Sequence, residues 1–337
     1  MSDNHPKLSN HSNRRISEVV SEGFHLFGKN WITLILPLGL FFFFSLIIKN
    51  LLVVDLEWQV LTMTPAIEVI LGKDPSLLTG GEIELMLKYL ILGLSFLFLT
   101  NFIPTLFNVV AMCLVSNYLY NKFIGKETKL IPELKNALNG KILLVVLLLG
   151  FGISVGWMLL FIPGIILFGF YIFYIFTYHS DDSEHPIKEA RDLARGTFLK
   201  IIGIFLVNFF LIFVCDFVYH LIIDDFLIQI NSPSWYNPVT RNYGLIILFD
   251  FIYNIVQFLF TPLFICLLTS LFVPLKTRKE QNIQYQTSYP EIPQGNQTPR
   301  IEKVSGSGMY CPFCGKYLTK STTQCSHCGE KLDFLLK

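Results

Sequence analysis

The chain has 337 residues, 52% of them hydrophobic and only 15% charged, with 32 Phe and a formal net charge of +1. Soluble domains carry about 25% charge, so this composition excludes an ordinary pair of water-soluble domains. A balance so close to neutral also gives no electrostatic footprint for nucleic acid.

Residues 1–15 form a polar N-terminal tail. The first apolar run starts near Trp31. It is too long for a signal-peptide core and is not followed by a small-residue cleavage site, so it reads as a membrane span. Five stretches, 31–54, 89–120, 142–179, 201–223 and 243–275, are almost free of charge, and each exceeds the roughly 18 residues that mark a membrane helix. As one helix, 142–177 would reach about 55 Å against a hydrocarbon core of about 30 Å. It is therefore expected to fold back at Pro163-Gly164 into spans 142–160 and 164–179. The run 89–120 reads as one tilted span kinked at Pro104, and 243–275 as one bent at Pro262. The expected fold class is an all-α polytopic membrane bundle of six transmembrane helices over residues 16–275.

An even number of spans puts both termini on one side. Segments 1–30, 121–141, 180–200 and 276–337 hold 22 of the 26 Lys and Arg. The opposite loops, 55–88 and 224–242, hold Lys73, Lys88 and Arg241 against eight acids. This asymmetry predicts that both termini are cytoplasmic in a cell membrane, with lipids as the surroundings.

Three spans are preceded by amphipathic segments with a common opening: Ile16-Ser17-Glu18, Ile131-Pro132-Glu133 and Ile187-Lys188-Glu189. Apolar residues recur on one helical face of each, for example Ile16, Val19, Val20, Phe24 and Phe27, with Lys or Arg on the polar face. The predicted unit is an interfacial helix followed by a membrane hairpin, used three times.

The stretch Phe161-Ile162-Pro163-Gly164-Ile165-Ile166, then Tyr171, Phe173 and Tyr174, then Pro186-Ile187-Lys188-Glu189-Ala190 and Gly196 resembles a known membrane family. This is the six-helix domain found ahead of some bacterial glycerophosphodiester phosphodiesterases and in related multi-pass proteins. The resemblance covers residues 15–275, with its diagnostic part at 161–200, and lacks the arginine usual near Tyr171. It implies a structural membrane domain. The catalytic barrel of those enzymes needs some 250 residues and has no counterpart here, so phosphodiesterase activity is not implied.

The most specific motif is Cys311-Pro312-Phe313-Cys314-Gly315, ten residues, then Cys325-Ser326-His327-Cys328-Gly329. Two Cys-x-x-Cys turns, each closed by glycine, aim four thiolates at one metal, and a closed tetrahedron is structural rather than catalytic. The segment 309–337 is thus predicted to be a four-cysteine zinc ribbon holding one Zn2+, which supplies the folding energy that so small a core lacks. A reducing cytoplasm disfavours the alternative of two disulfides. Four Lys, two acids and no Arg in the ribbon point to a cytoplasmic protein partner or to self-association as a homo-oligomer rather than to nucleic acid. Residues 276–308, rich in Gln, Pro, Ser, Thr and Gly, read as a flexible linker.

Within the membrane, Asp216 and His220 share a face of the fifth span, and Asp250, Asn254 and Gln257 form a stripe on the sixth. Both acids fall in the outer half. They read either as a polar site open to the outside or as wet groups and interhelical hydrogen bonds. Asn101, Asn108 and Asn117 read as structural, the four phenylalanines at 41–44 as a lipid-facing and packing surface, and Cys113, Cys215 and Cys266 as packing. No Ser-His-Asp set, HExxH or phosphate loop is present. The expected function is a non-enzymatic membrane scaffold or regulator with an interacting ribbon. The alternative is a small-solute or lipid transporter working through Asp216, His220 and Asp250.

Overall fold

The computed structural model describes residues 15–158, 162–179, 185–230, 232–287, 309–310 and 317–318. The chain divides into two units, Met1–Gln286 and Thr287–Lys337. Among the described residues the first unit is entirely helical.

Helix α1 spans Ile16–Leu71, 56 residues and so about 84 Å, and α2 spans Gly80–Phe123, 44 residues and about 66 Å. They run antiparallel: Asn30 meets Tyr118 at 3.5 Å, Phe41 meets Phe107 at 6.4 Å between centroids, and Thr64 meets Tyr89 at 3.4 Å. Two expectations change here. The loop expected at 55–88 is almost all helix, and only 72–79 connect the pair. The reason is local: Thr79 and Glu82 form a reciprocal capping box that starts α2. The first interfacial helix is also not a separate element but the opening of α1. The Asn30 amide donates back to the Leu26 carbonyl at 2.9 Å, inside the helix, instead of capping a new one. The apolar face of that opening packs into the bundle rather than onto lipid. A Cβ on Gly23 would sit 2.9 Å from the Leu267 Cα, and the Ser270 hydroxyl donates to the Val19 carbonyl at 2.8 Å. Glycine is needed there for two helices to approach so closely.

The second amphipathic segment is distinct. Helix α3 (Leu130–Ala137) meets the next apolar helix at a bend of 78°. That helix comprises α4 (Ile142–Val145), a π-helical turn (Val146–Phe151) and α5 (Gly152–Met158). Then come α6 (Ile162–Tyr171) and α7 (Tyr174–Thr177). A Cβ on Gly156 would lie 2.5 Å from the Gly164 nitrogen. Eight residues along one helix would be about 12 Å apart, so the chain does reverse before Pro163-Gly164. Residues 159–161 lie outside the described residues.

The third amphipathic segment, α8 (Pro186–Arg195), starts on a proline at its first turn and breaks from α9 (Phe198–Ile230) at Gly196-Thr197. Helix α10 (Tyr243–Tyr253) is capped by the Asn242 side chain, and α11 covers Ile255–Thr287. The run 243–275 breaks at Asn254, where φ −104° and ψ 20° leave the helical region, and Pro262 lies inside the continuous α11. The Asn254 amide donates to the Asp250 carbonyl at 2.7 Å, closing α10 on itself. The linker expected from 276 begins as helix through Thr287. Its Lys, Arg, Glu and Gln extend an existing helix without paying for nucleation.

Among the described residues, four helices are long and apolar enough to cross a membrane, or five if the bent pair at 130–156 is one span. In the apolar window of α11 67% of residues are buried, against 6% in that of α2. Helix α11 is therefore the central post. Around it the core gathers Leu34, Leu38, Cys113, Phe173, Tyr174, Ile201 and Phe272. In the second unit, β1 (Met309–Tyr310) pairs antiparallel with β2 (Tyr317–Leu318) in the register 309↔318 and 310↔317.

Candidate functional site

Three polar places emerge along the described bundle. The first joins α1 to α10. Asp250 accepts from the Lys49 ammonium at 2.5 Å and from the Asn50 amide at 2.9 Å. The Lys49 and Asp250 side chains are 16% and 18% exposed, and Asn50 is 3% exposed. In such surroundings an unpaired charge is expensive, so each group needs the others. A few residues further along α1, Arg241 pairs with Asp55 at 2.7 Å and donates to the Tyr236 carbonyl at 3.2 Å, tying the 232–242 turn to α1. Val54, Tyr236 and Ile246 form a small apolar cluster behind it.

The second place is on α9. His220 lies between two carboxylates of its own helix, Asp224 at 2.8 Å from Nδ1 and Asp216 at 3.8 Å from Nε2. Its ring is 4.4 Å from that of Tyr253, and the Tyr219 hydroxyl donates to the Ile252 carbonyl at 2.8 Å, so α9 lies against α10. Asp216 Oδ1 and His220 Nε2 have no hydrogen-bond partner among the described residues. Asp216 and Asp250 thus have separate partners: Asp250 turns to α1, and Asp216 stays beside His220. Asn254 closes α10, as described above.

The third place, at the other end of the bundle, was not visible in the sequence. A cavity of about 80 Å³ is lined by Ser116, Asn117, Tyr120, Phe176, His179, Phe272 and Lys276. Small-molecule sites run to about 300–1,000 Å³, so this one has room only for something of the size of water or a small ion. The Ser116 hydroxyl donates to the Cys113 carbonyl at 2.7 Å, and His179 Nε2 lies 3.1 Å from that hydroxyl and 3.3 Å from the same carbonyl. Nε2 thus lies within hydrogen-bond distance of both, and the contact braces the two segments against each other. Around it Asn117 and Asn121 donate to Glu133 at 2.5 and 3.2 Å, and the Tyr178 hydroxyl reaches the Cys113 and Ala137 carbonyls at 3.1 and 3.2 Å. These bonds hold α3 and the end of the hairpin onto α2. Separated residue types at distances of 12 to 66 positions left no spacing signal.

At the turn between α1 and α2, Lys73 pairs with Glu82. That pairing, with the Thr79 backbone and hydroxyl, holds the Glu82 carboxyl down to about 2. Asp74 is held below its usual range by the Ser76 backbone and hydroxyl.

The ribbon cysteines, Cys311, Cys314, Cys325 and Cys328, lie outside the described residues. The described strands β1 and β2 flank, in sequence, the segment 311–316 that holds Cys311, Cys314 and Gly315. No group of three or more metal-ligating side chains occurs among the described residues. Compared with known proteins, the chain matches no family model, no curated protein and no solved structure.

Proposed function

We propose that the chain is a non-enzymatic membrane scaffold or regulator that presents a cytoplasmic zinc ribbon to a protein partner. In this reading six spans, formed by α1, α2, the two arms of the 142–177 hairpin, α9 and the α10–α11 pair, anchor the ribbon with both termini in the cytoplasm. The resemblance to the six-helix domain associated with glycerophosphodiester phosphodiesterases agrees with that layout. One zinc, held by Cys311, Cys314, Cys325 and Cys328, would fold the ribbon.

The observation that carries the reading is Asp250. Its charge is matched by Lys49 and Asn50 within the bundle, as in a fixed joint between helices rather than a cargo site. The transporter reading rests on Asp216 Oδ1 and His220 Nε2, which lack partners among the described residues. The test is affinity capture from native membranes with the full chain and with its Cys311→Ser/Cys325→Ser variant. A cytoplasmic protein retained by the wild type and lost with the variant is expected. Identical capture by both would overturn the role of the ribbon, and substrate-dependent proton flux abolished by Asp216→Asn would replace scaffold by transporter.

A further inference from the structure

We infer that the exposed stripe of α2 is the seam through which two copies of this chain pair as a parallel dimer. Along α2, Ile83, Leu87, Leu90, Leu94 and Leu97 are 47, 55, 57, 44 and 60% exposed. They are spaced 4, 3, 4 and 3, and the next steps of 4, 3 and 4 reach Asn101, Pro104 and Asn108. That is a heptad repeat with Leu87, Leu94, Asn101 and Asn108 at one core position and Ile83, Leu90, Leu97 and Pro104 at the other. Other residues of α2 already serve α1, since Tyr89 meets Thr64, Phe107 meets Phe41 and Tyr118 meets Asn30. The stripe is a second face. At Gly93, beside it, an added Cβ would find nothing within 4 Å, which leaves room for a neighbouring backbone.

Lipid cannot be the occupant of this whole face, and the reason is one of height. We place one edge of the hydrocarbon at Asn30 and Tyr118, which meet at 3.5 Å beside Lys29 and Lys122, because basic residues flank spans at the membrane surface. A core of about 30 Å takes up about 20 residues of an upright helix, and about 26 at the steepest usual tilt of about 40°. On either count Ile83, Leu87 and Leu90 lie beyond the lipid tails, whereas Asn101, whose amide also donates to the Leu97 carbonyl at 2.7 Å, and Asn108, both exposed, lie at their level. The stripe is thus apolar where water would be and amide-bearing where lipid would be, the inverse of a lipid-facing surface. Helix α9 shows the lipid-facing pattern in the same molecule. Its exposed residues Leu206, Phe209, Phe210, Phe213, Phe217 and Leu221 form an unbroken apolar run.

A second copy answers both halves of the inversion. Two chains in one membrane share a topology, so a twofold axis along the membrane normal sets their α2 helices parallel, with like positions opposite each other. The leucines then bury one another outside the lipid. Within it Asn101 meets Asn101 and Asn108 meets Asn108, and asparagine at this heptad position selects a register by pairing amide to amide. At about 100 Å² for each half-exposed aliphatic side chain, the five apolar positions and the flanking Ile91 offer about 600 Å² per copy. A standard interface takes about 800 Å² per partner, so a specific dimer is within reach.

The test uses the full chain in lipid nanodiscs and in native membranes. A photoreactive phenylalanine analogue at Leu90 or Leu94 should give a cross-linked band at twice the 38.7 kDa chain mass. The same analogue at Phe213 on α9 should give none. Light scattering should find a dimer for the wild type and a monomer for Leu90→Lys/Leu94→Lys, with helical circular dichroism unchanged. Cross-linking in the otherwise unaltered chain stands independently should the lysine variant not fold. A monomeric wild type would overturn the inference. So would equal cross-linking from Phe213, or cross-linking from Leu90 and Leu94 only to some other protein.

Discussion

Replacing Asp250 with alanine leaves two groups of α1 without their acceptor. The Lys49 side chain is 16% exposed and bonded at 2.5 Å, and Asn50 is 3% exposed and bonded at 2.9 Å. Removing one partner of a fully buried ion pair costs about 3–5 kcal/mol, and the partial exposure of this pair lowers that to about 2–3 kcal/mol. The stranded Asn50 amide adds about 1 kcal/mol, so Asp250→Ala should lose about 3–4 kcal/mol. Lys49→Met keeps most of the apolar stem and leaves Asn50 to bond Asp250, so about 2 kcal/mol should go. The double variant Asp250→Ala/Lys49→Met should lose less than the sum, with a coupling of about 2 kcal/mol, because neither charge is then stranded. Reversible unfolding of the full chain in mixed micelles, titrated with SDS and followed by circular dichroism, measures all corners of this cycle. Additivity within about 0.5 kcal/mol would refute the reasoning, since it would mean that the pair sits in water and its members act independently.

Metal analysis of the purified chain should find one zinc, and Cys311→Ser/Cys325→Ser should bring it close to zero; full retention would remove these ligands from the site. A membrane-impermeant thiol reagent on intact cells should label a cysteine at exposed Leu77 or Val239 and miss one at exposed Glu127; the reverse pattern would invert the topology. Gly156→Val should open the 142–177 hairpin, because its Cβ would fall 2.5 Å from the Gly164 nitrogen. A loss of about 3 kcal/mol or more is expected, read as lowered folded yield in detergent. Lowering the pH should loosen the 72–82 turn. The depressed Glu82 and Asp74 carboxyls favour the folded turn above the ordinary carboxylate range, and that contribution fades as pH falls toward about 2. Amide exchange at Ser76 and Glu82 would show it, and exchange unchanged between about pH 6 and about pH 3, after correction for intrinsic rates, would count against it.

What the sequence alone determined is what depends on local composition and on distance along the chain. Apolar runs against a fixed hydrocarbon thickness required membrane helices and a reversal near Pro163-Gly164, and the close approach of Gly156 to Gly164 shows that reversal. The cysteine spacing pointed to a knuckle, whose four cysteines lie outside the described residues. Tertiary structure alone decided where each amphipathic face went, because an apolar stripe has the same sequence whether it meets lipid or protein. At Val19 and Gly23 it met α11, and the presumed interfacial helix became the start of α1. The same holds for the polar groups. Asp216 and Asp250 sit at comparable depth in sequence, but helix rotation turned Asp250 to Lys49, a cation within an apolar run that offered no hint of its partner 201 positions away. The Ser116–His179 brace depends in the same way on the docking of α2 against the hairpin end. Spacing along one helix defines a face, and only the packing of the other helices decides what that face touches.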